Sequence, residues 1–258
     1  MSGPDRWNEV DEYISDRLVG ADPDLAEALA ESARAGLPPI AVSAPQGKLL
    51  YLTAVAIGAR RILEIGTLGG YSTIWLARAL RPNPAADDPN PAADNPNPAA
   101  DDPNPAADST DAAPATPAPQ VITLELEAKH AQVARANVDR AGVGDLVDIR
   151  VGPALDSLPK LAEEGLPPFD LAFIDADKDR IPTYFDWCVR LSRPGAVIIT
   201  DNVVRNGALI DPASEDGRIL GVRRFHELLA GRRDVEATTI QTVGAKGYDG
   251  FNLAVVRG

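Results

Sequence analysis

Two kinds of apolar pattern alternate along this chain. Short continuous apolar runs occupy Arg60–Ile65, Val121–Leu126, Leu146–Val151, Phe169–Asp175 and Ala196–Thr200. Between them lie stretches with apolar residues at helical spacing: Thr73–Leu80, Ala128–Ala141, Ala154–Glu164 and Ile181–Leu191, with Gly217–Leu229 after the last run. A run of about five apolar residues reads as a strand buried on both faces, as in a parallel sheet. Alternation of such strands with helices predicts an α/β fold, a doubly wound, Rossmann-like, mostly parallel sheet. Glu236–Val243 and Phe251–Val256, joined by a short turn at Tyr248–Gly250, predict an antiparallel pair at one edge and bring the strands to seven. Arg193-Pro-Gly195 reads as the turn into the fifth strand.

Two amphipathic segments precede the sheet, over 5–20 and 24–35, and Gly36-Leu-Pro-Pro39 stops the second. They predict an N-terminal helical cap, 5–36. Val42-Ser43-Ala-Pro45-Gln-Gly-Lys48 then opens a further helix, with Ser43 as N-cap and Pro45 in the first turn.

One segment has neither pattern. Pro82-Asn-Pro-Ala-Ala-Asp-Asp recurs from Pro89, Pro96 and Pro103, and a Pro/Ala-rich stretch follows to Gln120. A seven-residue period suggests a coiled coil, but two prolines per repeat forbid a helix and nothing larger than Ala or Pro is offered for burial. Residues 82–120 are therefore read as a disordered acidic insertion in a single domain spanning 1–258, tolerated because loop closure costs rise only logarithmically with length.

That segment also distorts the charge. The formal net charge is −13, and seven of those charges are Asp87, Asp88, Asp94, Asp101, Asp102, Asp108 and Asp111, leaving −6 for the rest. An acidic balance argues against nucleic acid or an anionic membrane as partner. The single Cys188 excludes an internal disulfide and a cysteine-based zinc site, and is expected to be a reduced, half-buried helix residue. The N-terminus lacks the basic flank and apolar core of a signal peptide, so a cytoplasmic protein is expected.

The candidate chemistry sits where the apolar runs stop. Phe169–Asp175 and Ala196–Thr200 both end on carboxylates, and open α/β sheets bind ligands at this edge. If those strands are neighbours, Asp175, Asp201 and Asn202 surround one point. Three oxygen donors on short side chains suit a hard divalent cation such as Mg²⁺. Lys178, three residues after Asp175, is placed to act as a base. Glu64-Ile-Gly66-Thr-Leu-Gly69-Gly70 is strand, glycine turn and helix start, where the backbone approaches a ligand closely. It is not the dinucleotide fingerprint, because Leu68 stands where the second glycine belongs. Glu125 ends the second strand as an acid able to hold ribose hydroxyls. His130, at a helix start, reads as capping or solvated, and His226 as a helix-face residue.

Taken together, Leu63–Ser72, Val121–Glu125, Phe173-Ile-Asp175-Ala-Asp177-Lys178 and Asp201-Asn202 resemble the cation-dependent O-methyltransferases, the family of catechol and caffeoyl-CoA O-methyltransferases. The likeness runs from Val42 to the C-terminus outside 82–120. It implies S-adenosylmethionine as methyl donor, Mg²⁺ or another divalent cation, a small phenolic substrate and a homodimer. By the same resemblance, Asp175, Asp201 and Asn202 match metal ligands, and Lys178, with Asp175, the catalytic pair. Val42, Glu64, Gly66, Thr67, Ser72, Glu125, Ala154, Asp175 and Asp177 match cofactor contacts, and Asn206 a substrate-side residue. Ala176 departs from members with a larger residue there. Two rivals are a nicotinamide-dependent oxidoreductase, which the missing fingerprint opposes, and a binding protein using the acidic tract, which leaves the Asp175, Lys178, Asp201 and Asn202 set unexplained. No nucleophilic triad is visible, since there is no G-x-S-x-G.

Overall fold

The computed structural model describes residues 3–81 and 120–258. The repeat tract therefore lies outside the described residues, except for Gln120. That residue is the first of a strand, not the last of an insertion, because its N–H already bonds the Arg60 carbonyl at 2.9 Å.

Seven strands form one sheet: β1 (Arg61–Ile65), β2 (Gln120–Glu125), β3 (Val147–Val151), β4 (Phe169–Ile174), β5 (Ser192–Asp201), β6 (Val235–Gly244) and β7 (Gly247–Val256). Their order is β3-β2-β1-β4-β5-β7-β6, parallel except for β7, which runs antiparallel to both β5 and β6. The doubly wound fold with an antiparallel edge pair is the one expected from the patterning.

Among the described residues, eight α-helices surround it. α1 (Pro4–Ile14), continued by a π-turn over Ser15–Val19, and α2 (Pro23–Arg34) form the N-terminal layer. α3 (Ala44–Ala56), α4 (Tyr71–Ala79) and α5 (Ala128–Arg140) lie on one face of the sheet. α6 (Ala154–Glu163), α7 (Ile181–Leu191) and α8 (Gly217–Gly231) lie on the other. The two-residue period of the strands feeds both cores. Ile62, Leu171, Phe173 and Ile199 face α3 and α4, while Leu63, Ala172, Ile174 and Ile198 face α7 and α8. Ser43 caps α3 as expected, accepting from the Gln46 N–H at 3.4 Å. Cys188 is fully buried within α7 rather than half-buried, and burial raises its thiol pKa.

Two turns differ from expectation. The hairpin loop is the pair Ala245–Lys246, and Tyr248–Gly250 belongs to β7, because Gly244 and Gly247 pair across the turn and Gly247 takes the positive φ (89°) that such a tight loop needs. Arg193–Gly195 lies inside β5 as a bulge. Phe169 pairs with Ser192 and Leu171 with Val197, so the intervening residues loop outward at Gly195 (φ 78°). Asp170 pins it by accepting from Arg193 Nε at 2.6 Å.

Candidate active site

Strand register builds the site. Leu124, Ile65, Ile174 and Thr200 stand side by side on β2, β1, β4 and β5. The next residue on each strand therefore forms a row along the carboxyl edge: Glu125, Gly66, Asp175 and Asp201. Neighbouring strands lie about 4.8 Å apart, so Asp175 and Asp201 leave the sheet as immediate neighbours. The strand order reverses between β1 and β4, which opens the crevice of a doubly wound sheet above Gly66 and Asp175.

Gly66 is required at the centre of that row. Its φ is +104°, and a Cβ there would overlap the carbonyl oxygen of Asp175. The backbone is threaded tightly at this point: the Gly66 N–H bonds Leu124 O at 2.9 Å and the Asp175 N–H bonds Ile65 O at 2.8 Å. Gly221 of α8 plays a similar part from below. It lets α8 lie against the backbone of Lys178 and Asp179, where any Cβ would clash.

On the β4–β5 side, Asp175, Lys178, Asp201 and Asn202 gather. Lys178, buried in a 3₁₀ turn, donates from Nζ to Asp175 Oδ1 at 2.7 Å. Asp201 is buried, and its Oδ1 accepts from the Asn202 N–H at 2.8 Å. Burial and, next, the charge of Asp175 push the Asp201 carboxyl up to about 7, while Lys178 and the Gln46 side chain pull the other way. Asn202 takes φ 58°, a left-handed turn immediately after the strand. Among the described residues, no group of three or more His, Cys, Asp and Glu side chains is arranged to hold a metal. The donors offered here are two carboxylates and one carboxamide. They fit a hard divalent cation: all are oxygens, and two are carboxylates carried on adjacent strands.

On the β1–β2 side, the acids are already satisfied. Glu64 is fully buried on the α4 face of β1, accepting from Ser72 Oγ at 2.6 Å, Thr73 Oγ1 at 2.5 Å and Thr123 Oγ1 at 2.7 Å. Burial nonetheless lifts its carboxyl from the ordinary 4.5 to about 7. Native Glu64 thus holds a proton that the unfolded chain releases above 4.5. The resulting stability is complete below pH 4.5 and is lost as pH rises through 7. Glu64→Gln should therefore show a shallower fall in melting temperature between pH 5 and 8 than the parent chain. Equal slopes in calorimetric melts would contradict this.

Glu125 supports the glycine turn. Its Oε2 accepts from the Thr67 and Leu68 N–H groups at 3.1 and 2.8 Å, and Oε1 from Glu127 N–H at 3.0 Å. His130 Nδ1 lies 3.2 Å from Oε1. His130 is therefore neither capping nor freely solvated, as its sequence position suggested. It faces Glu125 because the first turn of α5 returns over the end of β2. Val42 is buried just before α3, Ser72 in the first turn of α4, and Ala154 opens α6. Asp177 is turned towards α7, where its Oδ1 accepts from Tyr184 OH at 2.6 Å. Burial, followed by that carboxylate, raises the tyrosine pKa. Asn206 is exposed, tied by its backbone N–H to Tyr248 O at 3.1 Å. His226 bridges α8 to Thr239 Oγ1 on β6 at 3.0 Å.

Sequence reading missed Thr73, Thr123, Gln46, Gly221 and Asp249. Thr73 follows one recognised segment, and Gln46, Thr123 and Asp249 lie within others, but the contacts they make are with residues distant in the chain, which spacing along a sequence does not encode.

This fold is shared with Rossmann-like methyltransferases of known structure. The O-methyltransferase TomG from Streptomyces achromogenes, involved in tomaymycin synthesis and solved in complex with SAM, superposes with a TM-score of 0.83 at 48% identity over 100% of both chains. The chain belongs to the O-methyltransferase family, whose model matches residues 17–86 and 110–254. The break between those stretches falls within the repeat tract. The chain is 48% identical to a catechol O-methyltransferase of Mycobacterium tuberculosis over 249 residues, 96% of each chain. It is 44% identical to one of Niastella koreensis over 251 residues, 97% of this chain and 98% of that one. Among the described residues, no helix is long and apolar enough to cross a membrane.

Proposed function

We propose that this protein is a cytoplasmic, S-adenosylmethionine-dependent O-methyltransferase that uses a divalent cation and methylates one hydroxyl of a vicinal diphenol. The observation that carries the reading is that the strand ends set Asp175 and Asp201 side by side, with Asn202 next in the chain and Lys178 buried against Asp175. The catechol O-methyltransferase names of two relatives and the SAM complex of TomG support the same substrate and donor. Family membership opposes a nicotinamide oxidoreductase and a non-catalytic binder.

In this reading, the turn Gly66–Thr67 with Ser72 and Val42 borders the methionine end of the donor, and Glu64 supports it from within the sheet. Glu125 meets the ribose, and Ala154 and Asp177 make further contacts to the donor. Four donors surround the Glu125 carboxylate, which offers about four acceptor sites. The His130 ring is the donor among them on a rotatable side chain, so it is the one that yields to a ribose hydroxyl. Asp175, Asp201 and Asn202 would hold a divalent cation, which would supply Lewis acidity that favours ionisation of a diphenol. Lys178 accepts the hydroxyl proton at Nζ. It does so as the neutral amine, oriented by Asp175 Oδ1 2.7 Å from Nζ. The acceptor oxygen then bonds to the sulfonium methyl carbon as the S–CH₃ bond breaks, with its electron pair left on sulfur. Asn206 lies on the acceptor side.

The homodimer has an exposed apolar surface to form on, Leu49, Leu52 and Val55 of α3. Sedimentation reads that state directly as twice the chain mass.

The test of the activity is a panel of vicinal diphenols and matched monophenols incubated with S-adenosylmethionine. Transfer to the diphenols alone, abolished by chelator and restored by Mg²⁺, is expected. Undiminished transfer in chelator after exhaustive dialysis would defeat the metal-dependent reading.

A further inference from the structure

The loop that follows Asp201 is held in an unusual backbone state. Asn202 (φ 58°), Arg205 (φ 57°) and Asn206 (φ 54°) all take left-handed conformations, and Gly207 (φ 78°) continues them. L-residues avoid this region unless their surroundings impose it, and such positions gather at functional sites. Here the surroundings are one carboxylate on β7. Asp249 Oδ1 accepts from the Val204 N–H at 3.0 Å, the Arg205 N–H at 2.8 Å and its neighbour Gly250 N–H at 2.9 Å. Asp249 Oδ2 lies 3.9 Å from Arg205 Nη1. The flanking backbone adds Val203 N–H to Gly250 O at 3.0 Å and Asn206 N–H to Tyr248 O at 3.1 Å. Gly250 completes the fit, because a Cβ there would press on Val204 Cγ2.

We propose that Asp249 is a positioning residue: its carboxylate clamps Val204 and Arg205 and so sets where Asn202 and Asn206 present their side chains. This rests on the reading of Asn202 as a metal donor and Asn206 as an acceptor-side residue. The clamp lies between those two asparagines in sequence, so it controls both at once. The same hairpin also reaches the N-terminal layer, where Asp11 Oδ2 accepts the Ala245 N–H at 2.8 Å and Pro39 O accepts from Lys246 Nζ at 3.2 Å. Asp249 is thus the side-chain part of a link from that layer to the catalytic loop, beside the backbone bonds of Gly250 and Tyr248. Outer groups that orient metal donors commonly change metal affinity or activity about 10–100-fold when removed.

The full chain carrying Asp249→Ala or Asp249→Asn tests this through four readouts. These are amide exchange at Val204 and Arg205, Mn²⁺ affinity by electron paramagnetic resonance, kcat and KM for a catechol, and calorimetric affinity for S-adenosylmethionine. For Asp249→Ala, the two amides should exchange at least tenfold faster. Mn²⁺ affinity and kcat should fall about 10–100-fold, with donor affinity unchanged. Asp249→Asn keeps an acceptor oxygen and should stay within about threefold of the parent, because the same N–H groups still find it. Unchanged Mn²⁺ affinity and kcat in the alanine variant, or donor affinity falling in step with kcat, overturns the proposal. A parent chain without chelator-sensitive transfer instead sinks the functional reading, and the positioning role with it. The amide exchange then still reports whether the clamp exists.

Discussion

Asp201→Ala is expected to lower metal-dependent turnover by about 10³-fold, the size of effect seen when a preorganised electrostatic group is removed from a reacting centre. The reason lies in the row at the carboxyl edge. Asp175 and Asp201 stand on adjacent strands, and burial followed by the Asp175 charge makes Asp201 harder to ionise. Removing Asp201 leaves Asp175 satisfied by Lys178 alone at 2.7 Å. The site then has no surplus negative charge with which to attract a divalent cation. S-adenosylmethionine affinity should change little, because the donor contacts proposed for the glycine turn and Glu125 lie across the crevice on β1 and β2. The melting temperature at pH 8 should not fall, since a buried carboxyl with a pKa raised to about 7 opposes folding once it must ionise. Turnover assays with titrated Mg²⁺, calorimetric donor binding and a thermal melt separate these outcomes. Parent-like turnover with Mg²⁺ would remove Asp201 from the metal site.

Gly66→Ala should damage the fold and the site together. A Cβ at Gly66 overlaps the Asp175 carbonyl, and the +104° φ is strained for any L-residue. Backbone atoms on both sides are fixed by ladder hydrogen bonds to Leu124 and Ile65, so neither can retreat cheaply. A loss of about 3 kcal/mol or more follows from combining a forbidden φ with a backbone overlap. For a domain of this size that is a fall of about 10 °C in melting temperature. Donor affinity should drop with it, because the turn is displaced even in the fraction that stays folded. Ser72→Ala is the contrast: it removes one of three hydroxyl donors to Glu64 without a backbone overlap and should cost much less. A Gly66→Ala chain melting within about 2 °C of the parent would show that the crossing at Asp175 is not tight.

The difference between Glu64 and Asp201 shows how far a sequence reading reaches. Both are acids near the ends of apolar runs, and both carry carboxyl groups lifted to about 7. Local pattern treats them alike. The structure gives Glu64 three hydroxyl donors inside the sheet and gives Asp201 a like-charged neighbour at the sheet edge. The first arrangement supports a turn, and the second invites a cation.

By itself, the sequence determined the alternation of strands and helices, the antiparallel final pair, the cap on α3 and which residues end the strands. These follow from hydrophobic period and turn chemistry over a few residues, which act before any distant contact forms. Tertiary structure alone decided that β4 lies between β1 and β5, so that Glu125, Gly66, Asp175 and Asp201 form one row. It alone placed the hairpin turn at Ala245–Lys246, turned His130 onto Glu125 and brought Asp249 under the loop at Val204 and Arg205. The physical reason is that strand order and register minimise the free energy of the whole sheet at once. A contact across 45 residues, such as Val204 to Asp249, leaves no periodic trace in the chain between them.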